Sequence, residues 1–188
     1  MAAATGEKHV AIAAAYDFAS SKVVADIGGG HGRILGEILR RNPSTRGILF
    51  DLPHVLKGSG EVLEKAGAAE RVQLVEGSFF EFVPPGADVY ILSQILHDWD
   101  DERCASILRH CRTAMSPEAR LLIAELVVPD GALPPPVAFV DMLMMVVLTG
   151  KERTQAEFDA LLAAAQLKLV QVHPASSSGR MLIEAAPI

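Results

Sequence analysis

Cysteine is scarce in this chain. Only Cys104 and Cys111 occur in 188 residues, seven apart in a helical pattern. They make neither a CxxC pair nor a disulfide framework, which suits a reducing compartment, so a cytoplasmic location is expected. Positive charge is also short. Seventeen Lys+Arg stand against 23 Asp+Glu, a net charge of −6, with a pI near 5.5. An acidic chain without a basic stripe is a poor nucleic-acid binder, and no nucleic-acid partner is expected. Long apolar runs are missing too. The stretch around Met142–Leu148 falls far short of the ~20 residues that span a bilayer, so no membrane partner is expected. The opening Met1-Ala2-Ala3-Ala4-Thr5-Gly6-Glu7 has no basic region followed by an apolar one, and reads as lacking a signal peptide. What is present is apolar. Half the residues are hydrophobic and mean hydropathy is +0.28, which excludes a disordered tail and gives enough material for the core of one domain.

Strand and helix patterns alternate along the chain. Residues 7–18 predict an opening helix, and Lys22–Ile27 a buried strand that runs into a glycine cluster. Gly32–Arg41 predicts a helix with Ile34, Leu35, Ile38 and Leu39 on one face, and Pro43 lies beyond its end. Gly47–Phe50, Arg71–Val75, Asp88–Leu92 and Arg120–Val127 predict four more strands. Between them lie a weaker helix at Val55–Ala66, interrupted by Gly58 and Gly60, and a helix at Asp100–Met115. Three consecutive prolines make Pro129–Pro136 a loop, because proline removes backbone donors. Phe139–Leu148 predicts an apolar helix. Thr154 and Glu157 form a capping-box pattern opening a helix through Ala165. Leu167–His173 and Met181–Ala185 predict two closing strands, joined by a polar turn at 176–179. Nothing divides the chain, so residues 1–188 read as one domain. The order predicts an α/β fold with a doubly wound, mostly parallel sheet, and ligands on such sheets bind at the carboxyl ends of the strands near the switch point of strand order.

The glycine cluster sits where that rule points. Gly28, Gly30 and Gly32 follow a strand and precede a helix, with Asp26 two residues before the first. The spacing is G-x-G-x-G. A dinucleotide fingerprint needs glycine where Arg33 stands, and no G-x-x-x-x-G-K-[ST] string is present, which argues against NAD and ATP. Asp51 closes the next strand, where a carboxylate can accept from ribose hydroxyls. A tight turn and a capping aspartate are the plain alternatives. Taken together, loop and acid point to a nucleoside cofactor without phosphates, and S-adenosyl-L-methionine is the expected one.

Several short strings then agree with one family. Ile95-Leu96-His97-Asp98-Trp99-Asp100-Asp101, after the fourth strand, resembles the H-D-W segment of the plant and bacterial small-molecule O-methyltransferases of caffeate, flavonoid and anthracycline type. Ala15-Tyr16-Asp17-Phe18, Asp26 through Gly32, Phe50-Asp51-Leu52-Pro53, Gly77-Ser78-Phe79-Phe80 and Gly150-Lys151-Glu152-Arg153-Thr154 match in the same order. The resemblance covers nearly the whole chain. It implies a Rossmann-like class I methyltransferase fold, seven-stranded with an antiparallel last strand. It implies His97 as the general base toward a phenolic hydroxyl of a small aromatic substrate, flanked by Glu125 and Glu152. It places Asp26, Gly28, Gly30, Gly32, Asp51, Leu52, Gly77, Ser78, Phe79, Ser93 and Trp99 at the cofactor. Asp98, Asp141, Met142 and Met145 fall at the substrate. Each has a plainer reading: a helix cap for His97, core packing for Trp99 and the methionine helix, and exposed charges for Glu125 and Glu152. The acids around His97 read as helix caps, and no metal is expected.

The chain departs from the family in two places. Ser78 stands where members commonly carry an Asp toward adenine, and Ser93 where plant members often place a Lys. The resemblance begins near the family's linker helix, taken as residues 1–20, so the N-terminal helical domain that dimerises in the family is expected to be missing from this chain. Exposed apolar surface at the opening helix and at Phe139–Leu148 is therefore expected to promote a homodimer, or to receive a separate N-terminal partner domain. Two other functions stay open. One is a non-catalytic module that binds S-adenosylmethionine or S-adenosylhomocysteine and needs a partner lid. The other is a decarboxylase or hydroxylase that uses the bound sulfonium.

Overall fold

The computed structural model describes residues 9–129, 150–175 and 180–188. The helix expected over Phe139–Leu148, most of the proline loop and the 176–179 turn lie outside the described residues, and with them Asp141, Met142 and Met145.

The strands are β1 (Val23–Ile27), β2 (Arg46–Asp51), β3 (Val72–Glu76), β4 (Val89–Ser93), β5 (Arg120–Val128), β6 (Arg153–Thr154), β7 (Leu167–Pro174) and β8 (Arg180–Pro187). The described helices are α1 (9–14), α2 (Arg33–Arg41), α3 (Pro53–Leu56), α4 (Ser59–Lys65), α5 (Asp101–Ala114) and α6 (Gln155–Ala164). The sheet runs β3-β2-β1-β4-β5-β8-β7. β1 through β5 pair in parallel, while β8 lies antiparallel between β5 and β7. This is the expected mostly parallel sheet with an antiparallel last strand.

Both faces are covered. Ile27, Phe50, Leu92 and Ile123 face Ile107 and Leu108 of α5 and Phe158 and Leu162 of α6. Val24, Leu49, Ile91 and Leu122 face Ile12 of α1 and Leu35, Ile38 and Leu39 of α2. A nine-residue helix is marginal on its own. α2 persists because its apolar face is buried, at ~1.5–3 kcal/mol for each large aliphatic side chain. β1 is flanked by β2 on one side and β4 on the other. The chain leaving β1 enters α2 on one face, and the chain leaving β4 enters α5 on the other. The carboxyl ends of β1 and β4 therefore diverge and leave a crevice.

Three details differ from the sequence reading. An eighth strand, the two-residue β6, pairs with Val127 and Val128 at the end of β5, and so short a bridge has no period to detect. The helix expected over Val55–Ala66 is two, α3 and α4, because the Ser59 hydroxyl takes the Leu56 carbonyl at 2.7 Å and Gly58 packs under the His31 ring. The opening helix ends at residue 14, ahead of a turn in which Asp17 accepts from the Ala19 amide. No helix among the described residues is long and apolar enough to cross a membrane.

Candidate active site

The glycine loop begins where β1 ends. Gly28 and Gly30 adopt positive φ, 66° and 60°, which side chains resist. A Cβ on Gly28 would also stand 2.7 Å from Ile95 Cδ1, so the loop lies against the segment that leads to His97. Asp51 locks the loop: its carboxylate accepts from the Gly30 amide at 2.8 Å and the Leu52 amide at 2.7 Å. Each carboxylate oxygen retains a further lone pair.

Two clefts meet at Gly28. One, of about 260 Å³, is walled by Asp51, Leu52, Gly77, Ser78, Phe79, Phe80, Ile95 and Trp99. Its aromatic wall is interlocked, with Phe80 and Trp99 edge to face at 4.8 Å, and the Arg103 guanidinium lies 5.3 Å from the centre of the Trp99 ring. The Ser78 hydroxyl accepts from the Phe80 amide at 3.3 Å and shapes the turn that carries the ring. The other cleft, of about 230 Å³, lies over Gly28–Gly30 and reaches Asp26, Ser93 and Gln94. Gln94 is left-handed, φ 57°, and turns the chain out of β4 toward His97.

Asp26 is the unusual group in the second cleft. It is 1% exposed, and neither carboxylate oxygen has a hydrogen-bond partner. Burial pushes its pKa up to about 7; the Leu35 backbone amide opposes this, and the Asp51 charge adds to it. An unpaired buried carboxyl is costly. It lines the cleft over the glycine loop.

His97 sits in a single 3₁₀ turn, Leu96–Asp98. Glu125, 1% exposed on the α5 side of β5, holds that turn. One of its oxygens accepts from the Ile95 and Leu96 amides, both at 2.9 Å. The other lies 2.7 Å from His97 Nδ1. Nδ1 therefore donates, and Nε2 is the nitrogen left to take a proton. Asp98 Oδ1 stands 3.2 Å from Nε2. Burial lowers the His97 pKa, but the Glu125 hydrogen bond and the charges of Glu125, Asp98 and Glu152 outweigh it, and the net shift is upward. Asp100 caps α5 by accepting from the Arg103 amide, and Asp101 pairs with Arg153 and Lys151, so both acids have structural partners.

The profile of the O-methyltransferase domain family matches residues 6–168. The chain belongs to this O-methyltransferase family. It is 49% identical over 178 residues to phenazine O-methyltransferase PhzM of Lysobacter antibioticus, covering 95% of this chain and 52% of that protein. It is 39% identical over 173 residues to mitomycin biosynthesis 6-O-methyltransferase of Streptomyces lavendulae, covering 92% and 49%. The crystal structure of CalO1, a methyltransferase in calicheamicin biosynthesis, in its SAH-bound form, superposes with a TM-score of 0.89 at 37% identity over 100% of this chain and 55% of that one. The chain thus spans about half the length of these relatives.

In this O-methyltransferase domain most of the described residues singled out from sequence gather at one end of the sheet. Asp26, Gly28, Gly30 and Ser93 line one cleft, and Asp51, Leu52, Gly77, Ser78, Phe79 and Trp99 the other. Gly32 lies on neither. It caps α2, and a Cβ there would press on Leu49 and Leu63 at about 3 Å. Glu125 is within β5, in the strand expected over Arg120–Val127. Glu152 is half-buried and its charge reaches His97. Sequence reasoning passed over Phe80, Ile95, Gln94 and, above all, Arg153.

Proposed function

We propose that this chain is the catalytic domain of an S-adenosylmethionine-dependent O-methyltransferase that acts on a hydroxyl of a small aromatic molecule. The observation that carries it is the His97–Glu125 pair, on a chain segment whose Ser93 and Gln94 line one cleft and whose Ile95 and Trp99 line the other. The residues present fit the cofactor. Asp51 would accept from ribose hydroxyls, the Phe79–Ile95–Trp99 wall would hold the adenine, and the unpaired Asp26 would receive the ammonium of the amino-acid end. The bound sulfonium would supply an electrophilic methyl carbon for in-line displacement.

The chain's own residues handle the proton. Glu125 fixes the ring so that Nε2 faces the acceptor. The acceptor hydroxyl would take the place that Asp98 holds beside Nε2. A phenol has a pKa of ~10 and an imidazole ~6.5, and raising the His97 value narrows that gap. The proton then moves as the carbon–oxygen bond forms, and Glu125 stabilises the imidazolium. Closure of the acceptor side, by a second copy or by a helical domain, belongs to the same proposal.

The test is methyl transfer from labelled S-adenosylmethionine to a panel of phenols, hydroxyphenazines and hydroxynaphthoates. The expected result is a methyl ether product and a loss of ~10²–10⁴-fold in His97→Ala, with S-adenosylhomocysteine affinity retained. Equal turnover in His97→Ala would remove the base assignment. Cofactor binding without transfer to any acceptor would favour the non-catalytic module.

A further inference from the structure

Arg153 is a fully buried arginine, 1% exposed, in the two-residue strand β6. A guanidinium is expensive to bury unless its five N–H groups are used. Here all five are. Nη1 donates to the Leu96 carbonyl at 2.8 Å and the Lys151 carbonyl at 3.3 Å. Nη2 donates to the Trp99 carbonyl at 2.8 Å and to Asp101 Oδ1 at 2.8 Å, and Nε donates to the same Asp101 oxygen at 3.0 Å.

The two carbonyls from the His97 turn are informative. Leu96 and Trp99 bracket His97 and Asp98, so the fork grips the turn on both sides of the base. Glu125 grips the same turn through the Ile95 and Leu96 amides. The Cys104 thiol adds a bond to the Leu96 carbonyl at 3.2 Å. Gly150 lets the backbone pass so close that a Cβ there would run into the His97 carbonyl. β6 itself pairs with Val127 and Val128 of β5, the strand that carries Glu125. The base and the carboxylate that orients it are thus referred to one strand by two routes.

We propose that Arg153 is a positioning residue. It holds the 96–99 turn so that His97 Nδ1 stays on Glu125 and Trp99 stays in the wall of the cleft that Asp51 and Phe79 also line. Its catalytic meaning rests on the function proposed above, while its geometric claim does not. His97 has no regular helix or strand of its own to fix it, and a misplacement of ~1 Å costs on the order of 10²-fold in rate. Lysine would keep the charge but offers three donors on a point cation, not a planar fork.

The test uses Arg153→Lys and Arg153→Met, with the His97 ring resonance followed by NMR against pH and identified by its loss in His97→Gln. The groups facing that ring are Glu125, Asp98 and Glu152, with the cations of Arg153 and Lys151 behind the turn. If Arg153 positions the turn, both variants loosen the Glu125 contact. The His97 midpoint then falls by about half a pH unit or more, and S-adenosylhomocysteine affinity drops about tenfold. If Arg153 acts only as a charge, Lys leaves the midpoint unchanged and Met raises it, and either outcome overturns the proposal. Should both variants fail to fold, Asp101→Ala frees one side of the fork from a carboxylate that is 58% exposed. A fall of the His97 midpoint in that variant supports the proposal, and an unchanged one overturns it. A wild-type chain that does not bind S-adenosylhomocysteine would refute the function above, and the His97 titration would still decide the role of Arg153.

Discussion

Replacing Asp26 by Asn gives a stability change whose sign depends on pH. Burial pushes the Asp26 carboxyl from its ordinary 3.8 up to about 7. Between those values the folded state holds a proton that the unfolded state releases, so stability falls as pH rises. Above pH 7 the full penalty on the charged form is present, and at ~1.4 kcal/mol per pH unit its ceiling is about 4 kcal/mol. Water entering the adjoining cleft reduces this, and about 1–3 kcal/mol is expected, or roughly 2–10 °C in Tm for a domain of this size. Asp26→Asn should therefore melt higher than the wild type at pH 8, and the gain should shrink steadily as pH falls from 7 and vanish only below the ordinary carboxyl value of 3.8. The same change removes the charge proposed to receive the cofactor's ammonium, so affinity for S-adenosylhomocysteine should drop at least tenfold, as expected for a lost buried ion contact. Differential scanning calorimetry across pH and a calorimetric titration read the two effects. Equal melting at pH 8, or a gain that grows toward acid pH, would refute the reasoning about burial. Unchanged affinity would refute the assigned role.

Glu125→Gln should lower the His97 midpoint by NMR, because it removes the bond and charge that outweigh burial. The stability that His97 protonation contributes, full below about pH 6.5 and lost as pH rises through the raised value, should shrink with it; an unmoved midpoint would count against the pair. Arg71 donates to the Leu39, Asn42, Thr45 and Gly67 carbonyls at 2.9, 3.2, 2.9 and 3.4 Å. Arg71→Ala should cost ~1–3 kcal/mol in urea unfolding yet leave S-adenosylhomocysteine affinity intact, since these contacts sit at the amino ends of the strands; an affinity loss would show that the two ends are coupled. Burial pushes the Cys104 and Cys111 thiols up to about 11 and 12. A thiol-disulfide reagent at pH 8 should label neither in the folded chain, and fast labelling of either would contradict their burial.

What sequence could reveal depended on periodicity and on motifs in register. Four apolar residues at helical spacing announced α2, and Thr154 with Glu157 announced the start of α6, where both capping-box bonds are present. Residues at the ends of β1, β2 and β4 were legible because ligands on such sheets gather there. Arg153 was not legible. It stands between Glu152 and Thr154, next to Lys151, and a charged loop reads as solvent-exposed until three carbonyls and a carboxylate are seen to converge on it. The isolation of Asp26 appears only once α2 is packed over β1. Gln94 carries nothing in its residue type that foretells a left-handed turn.

These clefts are proposed to form an S-adenosylmethionine site served by His97. Titrating the folded chain with S-adenosylhomocysteine in a calorimeter tests this proposal most directly. Saturable one-to-one binding in the micromolar range is expected, weakened by Asp26→Asn and Asp51→Ala and untouched by Arg71→Ala. A folded chain that takes up no S-adenosylhomocysteine would contradict it.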